Sequence, residues 1–219
     1  MSLAGAPTQL VAPATANEGI GGSRRIFDAE SSSWVVRIPP GEYYVTGKKD
    51  EVIATILGSC VAACVRDPDR GIGGMNHFML PEGNGNGSWG GDNGQSTRYG
   101  NFAMEKLLNE LIKAGCRRER LEIKVFGGGN VTNARTQIGT QNAQFVLDYL
   151  KSEGLPCIAQ DLGGSLPRRI HYNPQNGRVV RRLMKTMESD MLIKEESDYA
   201  KSISSKKIAG DIELFGVNG

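Results

Sequence analysis

Short alternating runs of apolar and polar residues occupy the first third of the chain, and two later stretches carry helical stripes. Residues 34–38 alternate before Pro39-Pro40-Gly41, residues 42–46 predict a first strand, and 50–57 form an apolar run. Two further β-prone runs flank Asp67-Pro68-Asp69-Arg70-Gly71. Pro68 suits the second position of a type I turn, and Gly71 suits the left-handed residue that follows. A hairpin folded symmetrically about the Pro68–Asp69 bond sets Cys60 opposite His77, with Cβ atoms roughly 5 Å apart. A bulge at Gly71 would shift that register by one residue.

Farther along, Ala103, Met104, Leu107, Leu108, Leu111 and Ile112 predict a helix over 99–114, capped by Ser96 or Thr97 and stopped by Gly115. Residues 121–126 predict a strand ending in three glycines. A second helix is expected over 140–152, with Ala143, Val146, Leu147 and Leu150 inward. Residues 155–159 predict a strand, and 169–172 with 178–183 a last hairpin across Asn176-Gly177. The expected fold class is α/β: a layered α-β sandwich of mixed or antiparallel sheet with two main helices, in a single domain. Residues 1–33 are expected to be a flexible leader and 185–219 a charged, partly helical tail, with the folded domain at 34–184. The glycine-rich stretch 82–95, with Trp89 as its large apolar residue, is either a lid over the His77 strand or a free surface loop. The apolar tip at 211–219 is a candidate docking peptide or a disordered end.

Composition narrows the class. A chain of 219 residues with 39% hydrophobic residues suits one buried core, and a net charge of +2 is too small to argue for nucleic acid. The basic clusters at 117–120, 168–169 and 181–182 are expected to be solvated. No run reaches the ~18 apolar residues of a membrane span, and the N-terminus lacks a secretion signal. Four irregularly spaced cysteines do not form a disulfide framework, so a cytoplasmic, reducing location is expected.

The candidate chemistry is a thiol beside an imidazole. His77 would take the proton of Cys60, and the Gly58-Ser59 corner would turn backbone N–H groups toward a developing oxyanion. The competing interpretation is a small buried cysteine and a satisfied core histidine. A zinc site from Cys60, Cys64, His77 and His171 is disfavoured, because Cys-x3-Cys along a strand separates the thiols by ~13 Å. Cys64, Cys116 and Cys157 are expected to be structural, and His171 to lie at the surface. Gly127-Gly128-Gly129 lacks the spacing of a phosphate loop and is expected to serve close packing near the site. No cofactor is expected.

Several ordered segments carry a family resemblance over about residues 42–183. They are Leu57-Gly-Ser-Cys60-Val-Ala, Gly74-Met-Asn-His77-Phe-Met-Leu-Pro81, Arg98-Tyr-Gly100, Lys124-Val-Phe-Gly-Gly128, Ile138-Gly139 with Asn142, and Asp161-Leu-Gly-Gly164. Together they resemble the chemoreceptor glutamine deamidase family (CheD type) of bacterial chemotaxis. The resemblance implies a protein-glutamine glutaminase with Cys60 as nucleophile and His77 as base, making 34–184 the catalytic domain. It implies methyl-accepting chemotaxis receptors as substrate and leaves a CheC-type chemotaxis phosphatase as a partner to consider. The family also uses a threonine on the strand before the cysteine. That position falls at Ala54 here, so Thr55, one residue on, and Ser59 are the candidates for a third member. Gln141 and Ser165-Leu-Pro167 depart from the family pattern. Two alternatives stay open: a related thiol hydrolase acting on receptor methyl esters, and a non-catalytic adaptor.

Overall fold

A computed structural model describes residues 24–81, 93–131, 137–184 and 190–205. The elements run β1 (Arg24–Asp28), β2 (Ser33–Arg37), β3 (Tyr43–Thr46), β4 (Glu51–Leu57), β5 (Val61–Asp67), β6 (Ile72–Asn76), α1 (Asn93–Lys113), β7 (Glu122–Gly127), α2 (Ile138–Ser152), β8 (Cys157–Leu162), β9 (Arg168–Tyr172), β10 (Val179–Leu183) and α3 (Asp190–Ser205). One sheet has the order β1-β2-β4-β9-β10 and the other β3-β6-β5-β7-β8. Each is mixed: β2 runs parallel to β4 and β7 to β8, and the remaining pairs are antiparallel. Among the described residues the result is a single α/β domain of two mixed sheets with three helices, one more helix than the two main ones expected.

The period-2 geometry of β5 builds two cores at once. Val61, Ala63 and Val65 enter an apolar cluster with Met104, Leu107 and Leu111 of α1 and Val146 of α2. Cys60, Ala62 and Cys64 face the opposite way, toward Ile53, Leu57, Ile170 and Tyr172 of the other sheet. The site sits in this second core, between the sheets.

The β5–β6 turn fixes the register there. Asp67 Oδ1 accepts the N–H groups of Asp69 and Arg70 at 3.1 and 3.3 Å. Gly71, at φ +61°, donates its N–H to the Asp67 carbonyl at 3.0 Å. The loop therefore holds four residues, and Asp67 pairs with Ile72, Cys64 with Met75, and Val61 with Phe78. Cys60 is thus displaced by two positions from the partner of His77 that a symmetric turn predicts. A shift of two keeps both side chains on one face, whereas a shift of one would have parted them.

Helix α1 starts at Asn93, earlier than its sequence stripe, so Ser96 lies inside the first turn and donates to the Pro81 carbonyl at 3.0 Å. Met104, Leu107, Leu108 and Leu111 are buried, whereas Ile112 turns outward. Gly115, at φ +89°, ends the helix as the sequence indicates: the Cys116 N–H reaches the Leu111 carbonyl at 3.0 Å.

Residues 24–33, expected within a leader, form β1 and the turn into β2. Arg25 pairs with the buried Glu51 at 2.9 Å and stacks 4.4 Å from the Trp34 ring centroid. Part of the expected tail is α3. Arg168, expected to be solvated, is buried and bonded to the Asp161 carboxylate and to the Asp161 and Gly163 carbonyls. Cys157, expected to be structural, is exposed. The leader over 1–23, the glycine-rich stretch around Trp89 and the tip at 211–219 lie outside the described residues. Among the described residues, no helix is long and apolar enough to cross a membrane.

Candidate active site

Cys60 occupies a corner between β4 and β5 that is held from behind by backbone. The Gly128 N–H donates to the Cys60 carbonyl at 2.7 Å and the Gly129 N–H to the Gly58 carbonyl at 2.8 Å. Gly127 sits at φ +111°, and a Cβ there would collide with the Cys60 carbonyl, so only glycine allows this approach. This is the close packing expected of the glycine run. Asn142 of α2, fully buried, donates from Nδ2 to the Ser59 carbonyl and accepts the Leu80 N–H, both at 2.8 Å. One amide side chain thereby ties the cysteine corner to the segment leaving His77.

His77 follows β6 and is 1% exposed. Its Nδ1 lies 2.7 Å from the Thr55 hydroxyl oxygen, and that hydroxyl donates to the Ile38 carbonyl at 2.8 Å. A hydroxyl has one proton to give. With that proton committed to Ile38, Thr55 accepts from Nδ1–H, and the imidazole lone pair is left on Nε2. Among the described residues the buried Nε2 has no hydrogen-bond partner, which leaves its lone pair free to accept a proton. Strand parity explains why Thr55 reaches His77: Ile53, Thr55 and Leu57 face the inter-sheet core, while Ala54 pairs with His171 on β9 and points the other way.

The third side chain in the site comes from α3. One oxygen of the Glu196 carboxylate accepts the N–H groups of Gly58 (2.8 Å) and Cys60 (3.2 Å), and the other accepts the Ser59 N–H (2.8 Å) and hydroxyl (2.7 Å). Three successive backbone N–H groups converging on one anion form a nest, which suits a negatively charged oxygen. The reactive atoms of Cys60, His77 and Glu196 all lie within 4.8 Å of one another.

That trio is also a conceivable metal set, but each carboxylate oxygen already accepts two hydrogen bonds. Its lone pairs are used, and a metal would have to dismantle the nest. Cys64 and His171 stand outside the trio, with Cys64 in the apolar core and His171 half-buried on the far face of β9. Burial, and then the Glu196 charge, push the Cys60 thiol well above its ordinary pKa. Burial likewise pulls His77 below its ordinary value, opposed by the Glu196 carboxylate. With α3 seated, a neutral thiol faces a neutral imidazole.

Of the sequence candidates, the structure brings Cys60, His77, Thr55 and Ser59 into one site, with Thr55 at the imidazole and Ser59 in the nest. Glu196 is not among the sequence candidates, although the chain carries a signal for it. Leu192, Glu196, Tyr199 and Ile203 share one helical stripe, and a carboxylate stands where the stripe calls for an apolar residue. A thiol beside a base of defined tautomer, next to convergent N–H donors, is the equipment of thiol-dependent acyl chemistry.

Comparison with known proteins narrows this class. A family model described as CheD chemotactic sensory transduction matches residues 79–183. A protein of Rhodopseudomonas palustris is 48% identical, over 93% of this chain and 94% of its own. One of Thiobacillus denitrificans is 49% identical, over 87% and 92%, and one of Hydrogenovibrio crunogenus 50%, over 82% and 93%. All three are named "Probable chemoreceptor glutamine deamidase CheD". The chain belongs to the CheD family.

Proposed function

We propose that this chain hydrolyses glutamine side-chain amides of methyl-accepting chemotaxis receptors to glutamate and ammonia, in the cytoplasm, with Cys60 as nucleophile. His77 Nε2 takes the Cys60 proton, and the thiolate attacks the carboxamide carbon. The Gly58 and Cys60 N–H groups hold the oxyanion. Protonated His77 gives its proton to the departing nitrogen, so that ammonia leaves and a thioester remains. Water, deprotonated by the same Nε2, then cleaves the thioester to glutamate and restores the thiol. Thr55 accepts Nδ1–H throughout and keeps the basic lone pair on Nε2.

The observation that carries this reading is the nest beside Cys60 and His77, which already holds a carboxylate, the functional group that glutamine hydrolysis produces. Each conversion adds a negative charge to the receptor surface, a local electrostatic change of the kind that biases two-state signalling elements. Mass spectrometry of Gln-bearing receptor fragments tests the reading. A gain of about 1 Da at specific glutamines is expected with the native chain and none with Cys60→Ala; the mass change itself follows from exchanging NH2 for OH in an acyl transfer to water. Fragments that stay unmodified while their methyl esters are cleaved would replace the amidase reading with an esterase.

A further inference from the structure

With α3 seated, Cys60 is 0%, His77 1% and Glu196 4% exposed. No external amide and no hydrolytic water can reach the thiol in that arrangement. The helix is held there by more than its carboxylate. Ile203 and Leu192 are buried, Tyr199 and Ala200 pack against the inter-sheet core, and the Tyr199 hydroxyl bonds that of Tyr99. Gly41 gives Tyr199 its room, since a Cβ there would lie 2.7 Å from the phenolic oxygen.

The chemistry of the plug is specific. Glutamate and glutamine have the same side-chain length and shape. Glu196 sets one oxygen on the Gly58 and Cys60 N–H groups, where an oxyanion would sit, and the other on Ser59 N–H and Oγ. A carboxamide in the same place keeps the first two bonds. Its NH2, however, confronts the Ser59 N–H, so a glutamine is held less tightly than a glutamate. The nest thus prefers the product of the reaction, presented from a helix.

We propose that α3 is an internal product mimic: Glu196 fills the cradle meant for the substrate side chain, and the enzyme rests self-occluded until this helix is displaced. The inference rests on the deamidase reading and extends it to regulation of the same site. The resting protonation states agree, because the Glu196 charge adds to burial in keeping the Cys60 thiol protonated. Withdrawal of α3 removes that charge and admits water together.

The test turns the mimic into a substrate. In full-length Glu196→Gln, Cys60 attacks the introduced carboxamide and ammonia leaves, giving an internal thioester about 17 Da lighter than the starting variant. Water opens it to glutamate, a net gain of about 1 Da, only as α3 loosens enough to admit it, and either product counts as conversion. The expected result is a first-order conversion, independent of protein concentration and absent from the Cys60→Ala/Glu196→Gln double variant. An introduced carboxamide that persists in a preparation able to deamidate receptor fragments overturns the mimic alone. If neither that carboxamide nor the fragments change, the deamidase reading falls and the mimic with it. Tyr199→Ala and Glu196→Ala supply an independent readout that needs no turnover. Iodoacetamide should alkylate Cys60 at least about tenfold faster than in the native chain, as expected when hydrogen bonds that dock the helix are lost. Unchanged alkylation rates in both folded variants would overturn the occlusion.

Discussion

The two cores flanking β5 are made by one strand and serve different ends. The core beneath α1 and α2 is mainly apolar, with Val61, Ala63 and Val65 meeting Met104, Leu107, Leu111 and Val146, and its buried Asn76 is spent on the Ala63 N–H and the Ala103 carbonyl. The core between the sheets shares its space with Thr55, His77 and Glu196, all buried and each hydrogen-bonded. Non-directional burial makes the first, at roughly 1.5–3 kcal/mol per large apolar side chain. In the second, polar groups are tolerated only because each has a partner with defined geometry. Among the described residues, His77 Nε2 and Arg168 Nε are exceptions. If the proposed deamidase reading holds, folding and chemistry are divided between the faces of a single strand, and variants on the two faces should fail differently.

The largest difference is expected at Cys60. Cys60→Ala should cost at least about 10⁴-fold in receptor-fragment deamidation, because residues acting as one catalytic unit fail together. Its thermal unfolding should stay near native, since a small side chain replaces a small one. Leu107→Ala should show the reverse. A fully buried leucine truncated in the apolar core loses about 2–5 kcal/mol of stability in denaturant unfolding. The specific activity of the folded fraction should be unchanged.

Thr55→Val sharpens the comparison within the polar core. Losing the acceptor for Nδ1–H frees the other tautomer at a cost of about 1–3 kcal/mol, about fivefold to 150-fold in kcat with KM unchanged. Thr55→Ser should restore most of the rate, which a purely packing role would not allow.

Acid probes His77 itself. Its folded-state pKa lies below the ordinary 6.5, so the unfolded chain takes up a proton that the folded chain refuses. Stability is therefore full above about pH 6.5 and falls as pH drops, by up to about 1.4 kcal/mol per pH unit from this group. His171 contributes with the same sign. Unfolding curves of His77→Gln should be flatter than native over that window. The smallest effect is expected at Arg118→Ala, which breaks an exposed pair with Glu153 and should shift stability by under about 1 kcal/mol.

Residue pattern determined much of this molecule on its own. The Asp67–Gly71 turn chemistry placed a hairpin, and side-chain alternation put Cys60 and His77 on one face of it. The stripe through Leu107 and Leu111 and the stop at Gly115 defined most of α1, and the triple glycine announced a close backbone approach. These are legible because turn, period and cap preferences act within a few residues. Tertiary structure alone decided the rest. The four-residue loop fixed the Cys60–His77 offset, and the pairing of β4 with β9 turned Thr55, not Ala54, toward the imidazole. The Glu196 bonds to Gly58, Ser59 and Cys60 span well over a hundred residues of chain, and no local propensity encodes contacts at that separation. Only the interrupted apolar stripe of α3 marked, in sequence, a side chain waiting for a partner that folding would supply.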